Sequence, residues 1–219
     1  IHEKGEDGWI TTGDSIMINI TNKDKPTYSY EDSKVSSDEH PKPNVTPSTA
    51  PTIKAVSLSK TSCTYDGKVK NPTIKVYNTE GKQLSSKYYT VSKPSGRKNV
   101  GKYKYTITFK NGYTGKKTLY FTINPKPTKL TSLKKGSKRF TAKWKKVSAQ
   151  ASGYQIRYSM KSSMAKSKIL TVKNYKMTSK KITRLKKKKK YYVQIRTYKT
   201  VSKVKYYSGW SRKKTVVTK

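Results

Sequence analysis

The sequence has very few carboxylates and histidines beyond its first quarter. After residue 52 the only acids are Asp66 and Glu80, and both histidines, His2 and His40, precede that point. General acid–base catalysis normally needs a histidine or a carboxylate, and a zinc site needs closely spaced ligands of the same types or cysteines. We therefore expect residues 53–219 to be non-enzymatic and the chain to bind no metal and no cofactor.

The sequence also lacks paired cysteines and long apolar runs. Cys63 is the single cysteine, so no internal disulfide can form. We interpret it as a small apolar side chain near a strand rather than as a reactive thiol. No run approaches the ~18 apolar residues of a membrane helix, and no signal peptide is visible, so we predict no membrane span. Because the chain begins at Ile1 rather than at Met, we interpret it as a piece of a longer, processed polypeptide.

Positive charge is abundant and unevenly distributed. Residues 1–52 contain nine of the eleven acids and five of the 51 Lys and Arg residues. Residues 53–124 contain fifteen bases and two acids, and residues 125–219 contain 31 bases and no acid. A net charge of +40 favours polyanionic partners, which include nucleic acid, anionic lipid and anionic cell-wall polymers. Charge alone does not choose among them.

The first 52 residues differ from the rest in pattern as well as in charge. Ile16, Ile18 and Ile20 alternate within residues 15–21 and predict one strand, which we interpret as part of an upstream-domain remnant over residues 1–29. Residues 30–52 are polar and rich in Pro, Ser and Thr, a composition typical of an extended, partly disordered linker.

From residue 53 onward, apolar residues alternate with Lys and Thr. The stretch 101–110 has four apolar residues on one face, namely Tyr103, Tyr105, Ile107 and Phe109. This period of two predicts a half-buried antiparallel strand. The turn Lys110-Asn111-Gly112 follows, and a second alternating strand comes after it, with Leu119, Phe121 and Ile123 on one face. Residues 53–124 are therefore predicted to form one all-β module.

After the boundary Pro125-Lys126-Pro127, the same alternation returns in several short segments. The apolar positions are Phe140, Ala142 and Trp144, then Tyr154, Ile156 and Tyr158, then Tyr191, Val193 and Ile195. Short strands at about ten-residue spacing are typical of a sandwich with Greek-key connections. The predicted fold class is all-β, with two tandem β-sandwich domains over residues 53–124 and 125–219 after a partly disordered N-terminal segment.

Residues 127–219 resemble a fibronectin type III domain. The resemblance depends on Trp144, on the strand 154–158, on Leu185 six residues before Tyr191, and on the strand 191–196. The segment Tyr207-Ser208-Gly209-Trp210-Ser211 resembles a last-strand element of many bacterial members. The resemblance implies that Tyr191 occupies the tyrosine-corner position, where a phenol hydroxyl bonds to upstream backbone.

Residues 53–124 resemble the immunoglobulin-like repeat modules of Gram-positive, especially clostridial, surface proteins. The matching stretches are 65–68, 87–91, 99–101 and 112–115. Together the two resemblances imply a fragment of an extracellular or cell-surface protein from a Gram-positive bacterium.

Two local features allow both a structural and a functional interpretation. The run Lys186, Lys187, Lys188, Lys189 and Lys190 is either a solvated loop or a contact point for a polyanion. Trp210 either stacks on the guanidinium of Arg196 or offers an exposed platform to a sugar, and we favour the stack because Arg196 points outward if Tyr191, Val193 and Ile195 point inward.

The functional hypothesis that best fits these patterns is a non-catalytic spacer and interaction module of an exported bacterial surface protein. Its expected partner is an anionic cell-wall polymer or a host glycan rather than nucleic acid, and the modules are expected to be monomeric within a longer chain. A carbohydrate-binding or adhesin module attached to a cell-wall or glycan hydrolase is the first alternative. A basic nucleic-acid-binding protein is the second.

Overall fold

The computed structural model describes residues 2–5, 8–11, 17–18, 28–29 and 51–219. The chain divides into two compact units, Ile1–Ser48 and Thr49–Lys219. The described residues of the first unit form two antiparallel strand pairs, β1 (His2–Gly5) with β2 (Gly8–Thr11) and β3 (Met17–Ile18) with β4 (Tyr28–Ser29). The strand predicted over residues 15–21 is represented by β3, whereas Ile16 and Ile20 lie outside the described residues. The predicted linker also lies outside them, except for its last two residues.

Strands account for the regular structure of the second unit, which confirms the all-β fold class. Within residues 51–219 the only helical element is a single 3-10 turn at Ser86–Tyr88. The part of the chain described contains no helix that is both long and apolar enough to cross a membrane.

Residues 53–124 form two sheets around one core. The strands are β5 (Ile53–Leu58), β6 (Ser62–Thr64), β7 (Ile74–Asn78), β8 (Tyr89–Ser92), β9 (Gly101–Phe109) and β10 (Lys116–Asn124). One sheet has the order β6-β10-β9-β8, and β5 pairs with β7 in the other. β6 runs parallel to β10, while the other pairs are antiparallel.

The alternation predicted for the β9–β10 hairpin is confirmed. Tyr105, Ile107 and Phe109 are buried, whereas Lys102 and Lys104 on the other face of β9 are exposed. Two consecutive residues in the connection between β9 and β10, Asn111 (φ 55°) and Gly112 (φ 90°), have left-handed backbone. An Asn-Gly pair is favoured in hairpin turns because both residues adopt this conformation readily.

Cys63 of β6 packs against the core of the first sandwich, and burial is the main cause that raises the pKa of its thiol. Cys63 therefore lies on a strand and against the apolar core, as predicted.

Residues 125–219 form a second pair of sheets. The strands are β11 (Leu130–Gly136), β12 (Arg139–Trp144), β13 (Gly153–Ser159), β14 (Lys168–Val172), β15 (Ser179–Ile182), β16 (Lys190–Val201), β17 (Val204–Tyr207) and β18 (Lys214–Val217). One sheet has the order β11-β12-β15, and the other has the order β14-β13-β16-β17, with β18 also pairing with β16.

The two inner faces of this second sandwich enclose a separate core. Phe140, Tyr154, Ile156, Val193 and Ile195 are all completely buried in it. Every sheet described within residues 53–219 lies wholly on one side of Pro125, as expected for two sandwiches in series. The limits of the individual domains stay a prediction.

β17 and β18 follow one another along the same edge of β16. β17 pairs with residues 198–201 of β16, and β18 pairs with residues 190–193. The segment between them stays attached through the backbone amides of Ser208 and Ser211, which donate to the carbonyls of Thr197 and Ile195. The break in pairing places Trp210 over the outer face of the sheet.

Candidate polyanion-binding surface

The lysine loop, residues 186–190, follows β15 and ends at the first residue of β16, and all five side chains are exposed. The backbone beneath them is fixed. The amide of Lys186 donates to the hydroxyl of Tyr191 at 3.0 Å. The hydroxyl of Thr218 donates to the carbonyl of Lys186 at 2.6 Å and accepts from the amide of Lys189 at 3.1 Å. The loop therefore presents its charges from a backbone held by two neighbouring side chains.

Tyr191 occupies the corner position that the sequence predicted. Its ring is buried beside Phe140 and Tyr158, with centroid distances of 6.3 Å to each. Tyr192, one residue further, lies on the opposite face with the ammonium of Lys190 over its ring at 5.5 Å. The register of β16 is therefore the one predicted, with odd-numbered residues from Tyr191 to Ile195 pointing inward.

Further basic residues surround this loop. The turn between β11 and β12 contains Lys138, whose carbonyl accepts from the amide of Leu185 and whose amide donates to the carbonyl of Lys219. The side chains of Lys138, Lys219 and Arg184 are exposed. Residues 125–219 contain no carboxylate side chain that could pair with them. Counterions or an anionic partner must balance this charge.

The two acidic side chains of the first sandwich, Asp66 and Glu80, both have partners within it. Asp66 forms an ion pair with Lys70. The hydrogen bond from Lys70, followed by one from the backbone of Lys68, lowers the pKa of this carboxyl. Glu80 accepts from the side-chain amide of Asn78 at 3.2 Å. Among the described residues, no three His, Cys, Asp or Glu side chains gather in a way that could hold a metal ion.

The outer face of the β13–β16 pair carries a stack of cationic and aromatic groups. The guanidinium carbons of Arg157 and Arg196 lie 4.4 and 4.3 Å from the ring centroid of Trp210. Arg196 also lies 3.8 Å from the ring centroid of Tyr207. The predicted contact between Trp210 and Arg196 is confirmed, and Arg157 makes a second contact of the same kind with this indole.

Two glutamines hold the arginines of this stack in place. The amide oxygen of Gln194 accepts from Nε and Nη2 of Arg157 at 2.9 and 2.6 Å. The amide oxygen of Gln155 accepts from the same two atoms of Arg196 at 3.0 and 2.7 Å. Burial is the main cause that lowers the pKa of Arg196, and the nearby charge of Arg157 lowers it further. The stack therefore holds Trp210 against the outer face of the sheet.

Sequence reasoning missed Arg157, Gln155 and Gln194, although a signal was present. The tripeptide Gln-Ile-Arg occurs at residues 155–157 and again at residues 194–196. In an antiparallel pair with Ile156 opposite Ile195, each glutamine faces the arginine of the other strand, and the structure has this register.

The comparisons with known proteins identify the second sandwich. Residues 125–213 match the family model described as Fibronectin type III domain. No curated protein matches the chain.

Several solved structures are similar to parts of the chain. The fn3 domain of human contactin 1 is 17% identical, with a TM-score of 0.36, over 42% of this chain and 76% of that one. The FN1-FN3 domains of chicken CNTN1 are 18% identical, with a TM-score of 0.40, over 76% of this chain and 67% of that one. A beta-1,2-glucanase from Parabacteroides distasonis is 14% identical, with a TM-score of 0.36, over 51% of this chain and 17% of the enzyme. Because these TM-scores are low, the domain assignment depends on the family match.

Proposed function

Because residues 125–213 form a fibronectin type III domain, we propose that the chain is a non-catalytic spacer and interaction module of an exported bacterial surface protein. Domains of this type are commonly spacers or interaction modules, often in extracellular or surface-exposed proteins. In this proposal residues 53–124 are an immunoglobulin-like module of the same surface protein. The cationic surface binds an anionic cell-wall polymer or an acidic glycan.

One observation carries the proposal of a polyanionic partner. Residues 125–219 contain 31 basic side chains and no acidic one, and the five lysines at 186–190 are exposed on a loop with fixed backbone. Binding of a polyanion releases the counterions that such a surface otherwise holds, which favours association at low salt. Because the loop is already ordered, little backbone entropy is lost when a polymer binds.

The distribution of charge favours a polymer that is bound without recognition of its sequence. Exposed lysines occur on β9, β12, β14, β16 and β18 and in the loops between strands, so no single groove collects them. Most large aromatic side chains that could stack on a base are in the cores or in the Trp210 stack. We therefore expect a flexible acidic glycan or wall polymer rather than nucleic acid as the partner.

Titration against three polyanions at several salt concentrations tests the proposal. The intact chain is titrated with lipoteichoic acid, heparin and single-stranded DNA. We expect affinity to fall steeply from low to physiological salt for all three, with little dependence on sugar or base identity. A salt-insensitive, saturable preference for one neutral oligosaccharide would overturn the electrostatic account and favour the carbohydrate-binding alternative.

A further inference from the structure

A small pocket lies beside the lysine loop, at the edge of the core of the second sandwich. Its volume is about 330 Å³, and it lies between the end of β13, the start of β14 and the connection after β15. The residues that matter for its chemistry are Tyr158, Met160, Lys166, Lys168, Arg184 and Lys186. Ligand pockets range from about 300 to 1,000 Å³, so this one has room for a single repeat unit of a polymer.

Both walls of the pocket are fixed by hydrogen bonds. On one side Ser159, which is buried, donates to the carbonyl of Ala165 at 2.8 Å and accepts from the amide of Lys161 at 3.1 Å. These two bonds hold the β13–β14 loop. On the other side the bond between the Lys186 amide and the Tyr191 hydroxyl holds the loop that begins at Arg184. The pocket is therefore present before a ligand arrives.

The rim of the pocket consists of four exposed cationic side chains, Lys166, Lys168, Arg184 and Lys186. Two of them occupy left-handed backbone, Lys166 at φ 50° and Arg184 at φ 58°. Glycine or asparagine adopts this conformation more easily than a long side chain does. Both loops thus have a left-handed residue beside the pocket, and in each loop that residue is positively charged.

The pocket is also lined by apolar side chains and by the phenol of Tyr158. Leu185 is buried, Met160 is half exposed, and the half-buried ring of Tyr158 packs edge-on against Phe140 at 6.0 Å. Burial, followed by the neighbouring Tyr191, raises the pKa of Tyr158. Its phenol therefore stays neutral at physiological pH and can donate a hydrogen bond to an anionic oxygen.

We propose that this pocket is a subsite for one repeat unit of an acidic glycan or polyol polymer, a unit that combines an anionic group with an apolar C–H face. The basic rim neutralises the carboxylate or phosphate, and the Tyr158 ring and Met160 contact the C–H face of the sugar or polyol. The inference rests on the proposed function and deepens it, because it adds a preference for anionic carbohydrate to an otherwise unselective charged surface.

Short ligands of defined length test the subsite separately from the electrostatic field of the whole domain. The intact chain is titrated at physiological salt with trigalacturonate, a glycerol-phosphate trimer, triglutamate and maltotriose. Binding of trigalacturonate or of the glycerol-phosphate trimer at least about fivefold tighter than triglutamate supports the subsite, and the tighter of the two identifies the source of the anion. Maltotriose, which has the ring without the charge, should not bind.

Variants locate the binding. The pair Lys166→Asn and Arg184→Asn keeps residues that tolerate left-handed backbone and should weaken trigalacturonate binding by about fivefold to tenfold. Tyr158→Phe should weaken it by about threefold while leaving the charge intact. The matched control is Lys203→Asn with Lys205→Asn at the opposite end of β16, where Lys203 also has left-handed backbone at φ 67°.

The outcomes separate the subsite from the proposed function. Amide chemical shifts that move at Tyr158 and Leu185, in the wild type but not in the pocket variant, support the subsite, and the unperturbed shifts of the variant show that it is folded. Equal affinity for trigalacturonate and triglutamate, or an equal loss in the control variant, overturns the subsite. In that case salt-dependent binding of the long polymers would still stand, whereas loss of both would overturn the proposed function as well.

Discussion

The backbone amide of Lys186 donates a hydrogen bond to the hydroxyl of Tyr191, 3.0 Å away and five residues later in the chain. This bond joins the inward face of β16 to the start of the lysine loop. The phenol ring is buried in the core of the fibronectin type III domain, while the loop that it holds presents five consecutive exposed lysines. A core residue thereby determines where the charge is presented.

Replacement of this hydroxyl should destabilise the second sandwich. We expect Tyr191→Phe to lower its free energy of unfolding by about 1 kcal/mol or more, because the backbone amide of Lys186 loses its hydrogen-bond partner. Tyr192→Phe is the matched control, since Tyr192 lies on the other face of the same strand, and it should change stability by less than about 0.5 kcal/mol. Midpoints of chemical denaturation measure both, and equal midpoints would contradict the assigned role of Tyr191.

Thr218 should be equally important for the order of the loop. Its side chain is buried and bonds to the carbonyl of Lys186 and the amide of Lys189. Thr218→Val keeps the shape but removes both bonds, so we expect a loss of about 1–2 kcal/mol of stability. Amide hydrogen exchange at Lys189 should become faster. Thr215→Val, at an exposed position of β18 three residues earlier, should leave both quantities unchanged, and equal effects of the two variants would refute this role.

The Arg196–Gln155 pair should show an energetic coupling. Two hydrogen bonds join the guanidinium to one amide oxygen, and charge-assisted bonds of this kind are stronger than neutral ones. A double-mutant cycle with Arg196→Ala and Gln155→Ala should give a coupling of about 1–2 kcal/mol. The exposed Arg212 serves as control, because Arg212→Ala and Gln155→Ala should be additive. Additivity for Arg196 as well would mean that the pair contributes no specific stability.

The parts of the fold that the sequence predicts are those governed by local alternation. Tyr105, Ile107 and Phe109 of β9 recur every second residue, and this pattern alone determines which face is buried. The inward position of Tyr191 follows in the same way, and so does the outward position of Arg196. The predicted contact of Arg196 with Trp210 needed only the further assumption that the segment around Trp210 covers the outer face.

The parts that sequence reasoning missed depend on how distant strands pair. The parallel pairing of β6 with β10 joins Ser62 to Thr122, and no local pattern encodes it. The pocket rim brings Lys166 together with Arg184 from two separate loops. In a chain with 51 basic residues, no single lysine or arginine stands out. Only the repeated Gln-Ile-Arg tripeptide carried a readable signal, and it required knowledge that β13 pairs with β16.

A glycine in the lysine loop should increase stability. Lys188 adopts left-handed backbone at φ 54°, which costs an ordinary L-residue about 1–2 kcal/mol. Lys188→Gly should therefore stabilise the domain by about 0.5–1 kcal/mol after the larger unfolded-state entropy of glycine is subtracted. Lys187→Gly is the control, because its backbone is not left-handed, and it should be neutral or destabilising. Thermal denaturation distinguishes the two, and destabilisation by both would contradict the argument.

Removal of the lysine loop should reduce the salt dependence of polyanion binding without abolishing affinity. Each phosphate contact contributes about 0.7–0.9 to the slope of log affinity against log salt. If most of Lys186–Lys190 contact the polymer, their replacement with serine should lower the slope by about 2–4 units. Affinity should fall only in part, because the remaining basic residues of the module still attract the polymer.

A control variant distinguishes local contact from the general field. Lys126, Lys129, Lys145, Lys146 and Lys173 are all exposed and lie near the opposite ends of β11, β12 and β14 from the lysine loop. Their replacement with serine removes the same charge, so a purely long-range field predicts the same change in slope for both variants. A larger change for the Lys186–Lys190 variant, measured with heparin and lipoteichoic acid, assigns direct contact to the loop. Equal changes would contradict a special contact at the loop, because five lysines at the other end of the domain would then contribute as much to the slope as Lys186–Lys190 do.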